Sequence, residues 1–370
     1  MRRHLRGVCL GLFALVMVGC DRTPQPGTDA GHAIAIAEVP SVAELLPALH
    51  ARRFDAADRL LTGYQAAFEH DLAREETVHL GFASFATADA QDGALLDEWI
   101  RRSPGSFAAH LALAYYLFHQ GWITRGEGGG GSVSDASALR MTTFFDRGRG
   151  EVEAALRINP RLTVAYSLLI YAARTDADLD GIAAIAQRGI KEVPASFIVR
   201  VAYMQALLPR WGGSYEAMEK FAAEAQKYAT QNPRLRVLLG MVDWDKGDGV
   251  IRQDPSAALS LCDRAIAHGD YYRFYAGRGD ANYWLKNYEA ALRDLTRAIE
   301  LFPSGMNGYA DRAWTQARLG HPAEVLSDIQ TYRQYGYPDS SLLALKNWAL
   351  EVESHQIAAT AKLPGDPADD

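Results

Sequence analysis

Apolar side chains recur at spacings of three and four along most of this chain, the period that gathers them on one face of a helix. Leu292, Leu295 and Ile299 make such a face, and so do Leu342, Leu345, Ala349 and Val352, with Trp348 beside them. No stretch shows the two-residue alternation of a half-buried strand. Prolines punctuate the helical pattern. Pro160 and Pro194 lie 34 residues apart, and Pro303 and Pro338 lie 35 apart. Pro160, Pro194 and Pro303 each close a helix-like segment, Ala154–Asn159, Ile182–Val193 and Ala290–Phe302. A fixed period near 34 marks stacked two-helix units, each burying its apolar face against the next.

The clearest unit starts at Tyr272. Gly279 falls at its eighth place, Ala291 at the twentieth, Ala298 at the twenty-seventh and Pro303 at the thirty-second. Small residues there let paired helices approach closely, and the pattern resembles the tetratricopeptide (TPR) repeat. Tyr275 stands at that family's tryptophan position and Asn282 at its tyrosine position. A looser unit follows from Met306, keeping Ala313 and Gly320 but with Val325 and Tyr332 in place of alanines. The preceding unit is longer: Gly247-Asp248-Gly249-Val250, read as a turn, precedes Asp254, Ala258, Ala265 and Gly269. It resembles Sel-like repeats, relatives of TPR with a longer inter-helix turn. The implied fold is an all-α right-handed solenoid of TPR and Sel-like units. Two helices per 34 residues predict about 14 helices.

The period breaks twice upstream. Pro194 to Pro233 is 39 residues, and the excess coincides with Leu208-Pro209-Arg210-Trp211-Gly212-Gly213-Ser214. Pro104 to Pro160 is 56, and the excess holds Gly121-Trp122-Ile123-Thr124-Arg125-Gly126 and the glycine run Gly128–Gly131. Both are read as inserted loops. Over residues 105–225 the chain resembles a bacterial TPR-containing family of unknown function, which pairs an aromatic-Arg-Gly segment with a later Leu-Pro-x-Trp-Gly-Gly-Ser motif. In that motif the glycines permit backbone angles closed to other residues, and Ser214 is placed to cap a helix from Tyr215. Earlier still, 43–68 and 75–99 read as helical pairs. The expected organisation is a leader over 1–19, a tether over 20–40, degenerate repeats over 41–232, Sel-like and TPR repeats over 233–338, a capping helix over 339–358 and a disordered tail over 359–370.

The leader reading rests on Arg2, Arg3 and Arg6, then the apolar run Val8–Val18, then Gly19-Cys20. This is the layout of a secretory signal, and the run is short for a membrane span. Leu15-Val16-Met17-Val18-Gly19-Cys20 also resembles a bacterial lipobox, which implies lipid on Cys20 and a periplasm-facing protein of the bacterial envelope; cleavage without lipidation is the alternative. Asp21 bears weakly on the choice of inner or outer membrane. Losing three arginines moves the net charge from −7 to −10. That balance argues against nucleic acid and anionic lipid surfaces as partners. Once Cys9 departs and Cys20 is acylated, Cys262 is alone, so an internal disulfide is excluded. Its place in an apolar helical face reads as packing.

Enzyme chemistry leaves little trace. The chain lacks His-Glu-x-x-His, Gly-x-Ser-x-Gly and a Walker loop. Glu76 and His79 form a single Glu-x-x-His pair, read as a solvated helix face, because a di-iron bundle needs two. The run Gly126–Gly131 has no lysine to hold a phosphate. No metal or cofactor is implied. What remains is recognition. The TPR resemblance implies that the first helix of each repeat lines a groove, which carries over to Trp244, Arg273, Asp280, Tyr283, Trp284, Asn307, Trp314 and Arg318. Large aromatics with arginines suit an extended peptide or protein tail. Trp122, Arg125, Arg210 and Trp211, one tryptophan and one arginine from each inserted loop, form a second candidate contact surface. The expected function is a non-catalytic, lipid-anchored interaction scaffold or adaptor, an immunity-type binder being one form of it. The alternative is an envelope-acting enzyme with its site at 121–140.

Overall fold

The computed structural model describes residues 43–125, 133–176, 178–303, 306–334, 342–360 and 362–363. Cys20 with the leader and tether, the glycine run 126–131, Pro338 and the end beyond 363 lie outside the described residues. The described chain is all-α, a helical-repeat fold without strands, and it divides into two compact units on either side of Leu235 and Arg236. It contains 17 α-helices among the described residues, rather than about 14.

The first unit holds α1 (Leu45–His50), α2 (Phe54–His70), α3 (Glu75–Ala83), α4 (Ala90–Arg102), α5 (Phe107–Arg125), α6 (Asp135–Ile158), α7 (Thr163–Ala173), α8 (Leu179–Glu192), α9 (Phe197–Ala206) and α10 (Tyr215–Ala225). Pro104, Pro160 and Pro194 sit in the turns that follow α4, α6 and α8, so the proline ladder marks the passage from one helix pair to the next. The stretch 121–125 is not loop. It extends α5, and α6 runs for 24 residues beside it. The cause is aromatic packing along the pair: Phe118 and Trp122 meet Phe145 edge-on at 5.1 and 5.7 Å. Gly121 permits this, since a β-carbon there would lie 2.5 Å from Phe145 Cε1.

Helix α3 runs through the interior of this unit and contacts α5, α7 and α9. It is not the exposed helix expected of Glu76 and His79. Val78, Phe82 and Ala83 are buried on it, Glu76 pairs with Arg234 at 3.0 Å, and His79 Nδ1 lies 3.2 Å from the Tyr115 hydroxyl. Glu75 is fully buried and accepts hydrogen bonds from Ser196 Oγ, from Phe197 N–H at 2.8 Å and from Ile198 N–H at 3.2 Å. One carboxylate thereby caps α9 from 121 residues away. Burial pushes its pKa up against these bonds.

The second unit holds α11 (Met241–Val250), α12 (Pro255–Ile266), α13 (Tyr272–Trp284), α14 (Tyr288–Leu301), α15 (Met306–Arg318), α16 (Pro322–Gln334) and α17 (Leu343–Glu353). Each helix packs on its neighbours in sequence, and the odd-numbered first helices also touch one another, α11 on α13, α13 on α15 and α15 on α17. That is the contact pattern of stacked hairpins. Ala291, Leu295 and Ala298 of α14 and Ala313 and Ala317 of α15 are buried at these contacts, and α17 closes the array with Leu345, Trp348 and Ala349. Gly247-Asp248-Gly249 is not a turn: it lies in the last turns of α11, and the chain turns instead before Asp254, which caps α12 by accepting the Ala257 N–H at 2.9 Å.

A 34-residue recurrence appears in the polar contacts too. Arg278 of α13 grips Asp294 of α14 through Nε at 3.0 Å and Nη2 at 2.7 Å. Arg312 of α15 grips Asp328 of α16 in the same way, at 2.9 and 2.6 Å. Such two-point ion pairs fix the angle within a hairpin as well as adding energy. Asn282, at the family's tyrosine position, joins the first of them by donating to Asp294 at 3.2 Å.

Candidate partner-binding site

The seven tryptophans sort into two classes. Trp99, Trp244 and Trp348 are buried in helix contacts; Trp122, Trp211, Trp284 and Trp314 are each partly exposed. Of the second class, Trp122 and Trp211 belong to the first unit and Trp284 and Trp314 to the second.

On the second unit, Trp284 lies four residues after Asp280 on α13, and Trp314 lies three after Asp311 and four before Arg318 on α15, so each group shares one helix face. The Arg252 guanidinium stands 5.4 Å over the Trp284 ring, and Arg318 lies 5.9 Å from the Tyr288 ring, with its Nε 3.5 Å from the Tyr283 hydroxyl. Two residues expected in the groove are not part of it. Trp244 is 4% exposed, packed inside beneath Arg273, whose guanidinium is 5.4 Å from its ring, and Tyr283 is 6% exposed. Burial opposes the charge on Arg273, but Tyr272 and Tyr271 beside it outweigh burial and hold its pKa above the ordinary value. Arg273 therefore serves the packing of Trp244 and the tyrosines. The side chain of Asn307 lies outside those described.

Asp280 and Asp311 are partly buried on this face. Burial, then the Asp311 and Asp248 charges, raise Asp280 well above the usual carboxylate range, and burial pushes Asp311 up to about 7. Asp248, Asp280 and Asp311 stand at different positions of three repeats, on α11, α13 and α15, so the repeat pattern does not group them. Beneath them Cys262 is fully buried, its thiol pushed up to about 12 by burial and by Asp280 and Asp248, as suits a packing residue.

On the first unit, the two inserted segments do meet, but through residues the sequence reading missed. Arg125 lies 5.7 Å over Trp122, Trp122 contacts Tyr171 at 5.5 Å, and Arg174 is held between Tyr171 at 4.4 Å and Trp211 at 4.9 Å. The result is a row of three rings and two cations in contact across α5, α7 and the turn before α10. Arg210 stands exposed on that turn. Gly212 has φ 94°, a left-handed angle, and a β-carbon at Gly213 would lie 2.1 Å from the Leu207 carbonyl oxygen. Ser214 Oγ accepts the Ala217 N–H at 3.1 Å and starts α10. Trp-Gly-Gly-Ser is thus a turn that sets Trp211 on Arg174 and begins a helix.

No group of three His, Cys, Asp or Glu among the described residues is arranged to hold a metal ion.

Residues 41–177 match the model of a family described as a domain of unknown function (DUF4034). The match covers Trp122, Tyr171 and Arg174 and ends before the Trp-Gly-Gly-Ser turn. No curated protein matches the chain. Among solved structures, the chain is similar to the crystal structure of yeast Tom70, at 14% identity and a TM-score of 0.41 over 77% of this chain and 61% of that one. It is also similar to the APC/C hetero-tetramer Cut9-Hcn1, at 14% identity and a TM-score of 0.36 over 85% of this chain and 57% of that one. The chain thus spans less than two thirds of the length of either.

Proposed function

We propose that this chain is a non-catalytic protein-interaction scaffold of the bacterial envelope, carried by lipid on Cys20 and facing the periplasm. In this reading the first-helix face of the second unit, with Trp284 and Trp314, holds an extended segment of a partner protein. The observation that carries it is the division among the tryptophans. A repeat array that buries Trp244 and Trp348 leaves Trp284 and Trp314 partly open on the first helices α13 and α15, and the Arg252 guanidinium lies over the Trp284 ring. Tryptophan and arginine together are the residues most enriched where binding energy concentrates. Two-point Arg–Asp pairs inside successive hairpins stiffen the support, and a stiff support lowers the ordering cost of binding. No described helix is long and apolar enough to cross a membrane, so the envelope placement rests on the leader and Cys20.

The test is recovery of partners from membranes with the wild type and with Trp284→Ala/Trp314→Ala, read by mass spectrometry. A partner present with the wild type and lost with the variant is expected. Identical recovery from both overturns this assignment of the face.

A further inference from the structure

The repeat period also gathers charge within the first unit. Arg157 and Lys191 lie 34 residues apart, at matching places of successive hairpins, in the last turns of α6 and α8. Both helix ends open on one cavity of about 330 Å³, which these two side chains line together with Arg188, Glu153 and Glu192. Leu156 and Tyr166, 5% and 3% exposed, give it an apolar floor.

Part of this lining is fixed in place. Arg188 is held by a two-point ion pair with Glu153, at 2.9 and 3.0 Å. The Tyr166 hydroxyl donates to the Pro160 carbonyl oxygen at 3.1 Å, and the Arg188 guanidinium stands 5.7 Å from the Tyr166 ring. Gly189 lets α8 close on that ring, since a β-carbon there would lie 2.8 Å from Tyr166 Cγ. Arg157 and Lys191 differ from Arg188. Both are exposed, and among the described residues neither is held in an ion pair. A cation in the last turn of a helix offsets the helix dipole, which accounts for either one alone. It does not account for two such ends sharing a cavity with a third cation, since like charges brought together repel. Three cations against two carboxylates leave one positive charge uncompensated there, in a chain whose net charge is −7.

These features define a ligand chemistry. The volume lies at the lower end of the range for small-molecule sites. One uncompensated positive charge matches the single charge of a carboxylate better than the nearly double charge of a phosphate ester. Guanidinium and ammonium groups donate charge-assisted hydrogen bonds to such an acid, and the floor takes an apolar body.

We propose that this cavity binds a small organic carboxylate, with its apolar or aromatic body on Leu156 and Tyr166 and its acid group received by Arg157 and Lys191. The site lies within the first unit and is independent of the tryptophan face of the second.

The probes are para-fluorophenylacetate and para-fluorophenylpropionate, titrated into the full chain and followed by fluorine NMR. The matching amides supply the same bodies without charge, and para-fluorophenyl phosphate supplies the more highly charged head. The titrations are repeated on Arg157→Gln/Lys191→Gln and on Arg59→Gln/Lys220→Gln, which removes as much charge from exposed positions outside the cavity; circular dichroism first confirms the helicity of each. The expected result is saturable binding of a carboxylate, none of its amide, a weakening of roughly tenfold or more in the cavity variant, and no change in the control variant. Absence of saturable carboxylate binding, equal binding of the amide, or the same affinity in both variants overturns the site. Tighter binding of the phosphate overturns the carboxylate as its occupant.

Discussion

At the scale of single residues, the repeat is held by ion pairs whose geometry recurs every 34 positions. Asp328 is 4% exposed and Arg312 donates two hydrogen bonds to it. Removing one partner of such a pair strands the other charge in a place it cannot hydrate. Asp328→Asn should therefore cost about 2–4 kcal/mol in urea unfolding, and Arg312→Met/Asp328→Leu together much less. A double variant as unstable as the single one would show that the cost is packing and not charge. Both Arg278/Arg312 and Asp294/Asp328 keep the 34-residue spacing in the bare sequence, so the recurrence was legible there. Their pairing was not, since arginine and aspartate on a helical pattern also read as solvated faces. The same limit explains Trp244 and Tyr283. Neighbouring positions on a helix differ by about 100°, and a degenerate first-helix pattern does not say which of Tyr283 and Trp284 turns outward.

At the scale of helices, period and punctuation carried most of the information. The prolines at 104, 160 and 194 each fall in a turn between pairs, and α17 buries the face that its apolar spacing predicts. The misreading of 121–125 came from taking an excess over 34 residues as loop. An excess can equally lengthen a helical hairpin, and here the rings of Phe118, Trp122 and Phe145 continue the contact. The turn before α10 behaves as its sequence requires, and its two functions are separable. Ser214→Ala removes one cap and should cost about 1 kcal/mol. Gly213→Ala forces a β-carbon into the Leu207 carbonyl and should cost more, of order 2–3 kcal/mol, because backbone must move. Chemical denaturation of the two variants ranks them; the reverse order would show that the glycine position is relaxed.

At the scale of the whole molecule, two properties reach beyond any one repeat. The first is placement in the cell. Cys20→Ser should move the protein from the membrane to the soluble fraction of the envelope, and continued membrane retention would rule out the lipid anchor. The second is the response to pH. Asp311, pushed up to about 7, and Asp280, raised well above its ordinary range, compare with about 3.9 for an unfolded aspartate. Above the unfolded value the native state binds protons that the unfolded chain does not, so their contribution to stability is complete below about pH 4 and is lost as pH rises, for Asp311 through about 7. His119 works the other way. Burial lowers it to about 4, so the stability it supports falls as pH drops from about 6.5. A melting curve of the wild type alone mixes these trends. Subtracting the Tm of Asp280→Asn/Asp311→Asn isolates the carboxylates, whose surroundings are Asp248 on α11, Cys262 on α12 and each other. The variant should gain on the wild type by roughly 2–8 °C between pH 5 and pH 8. A difference that stays flat with pH would mean that the carboxylates are hydrated and in no conflict.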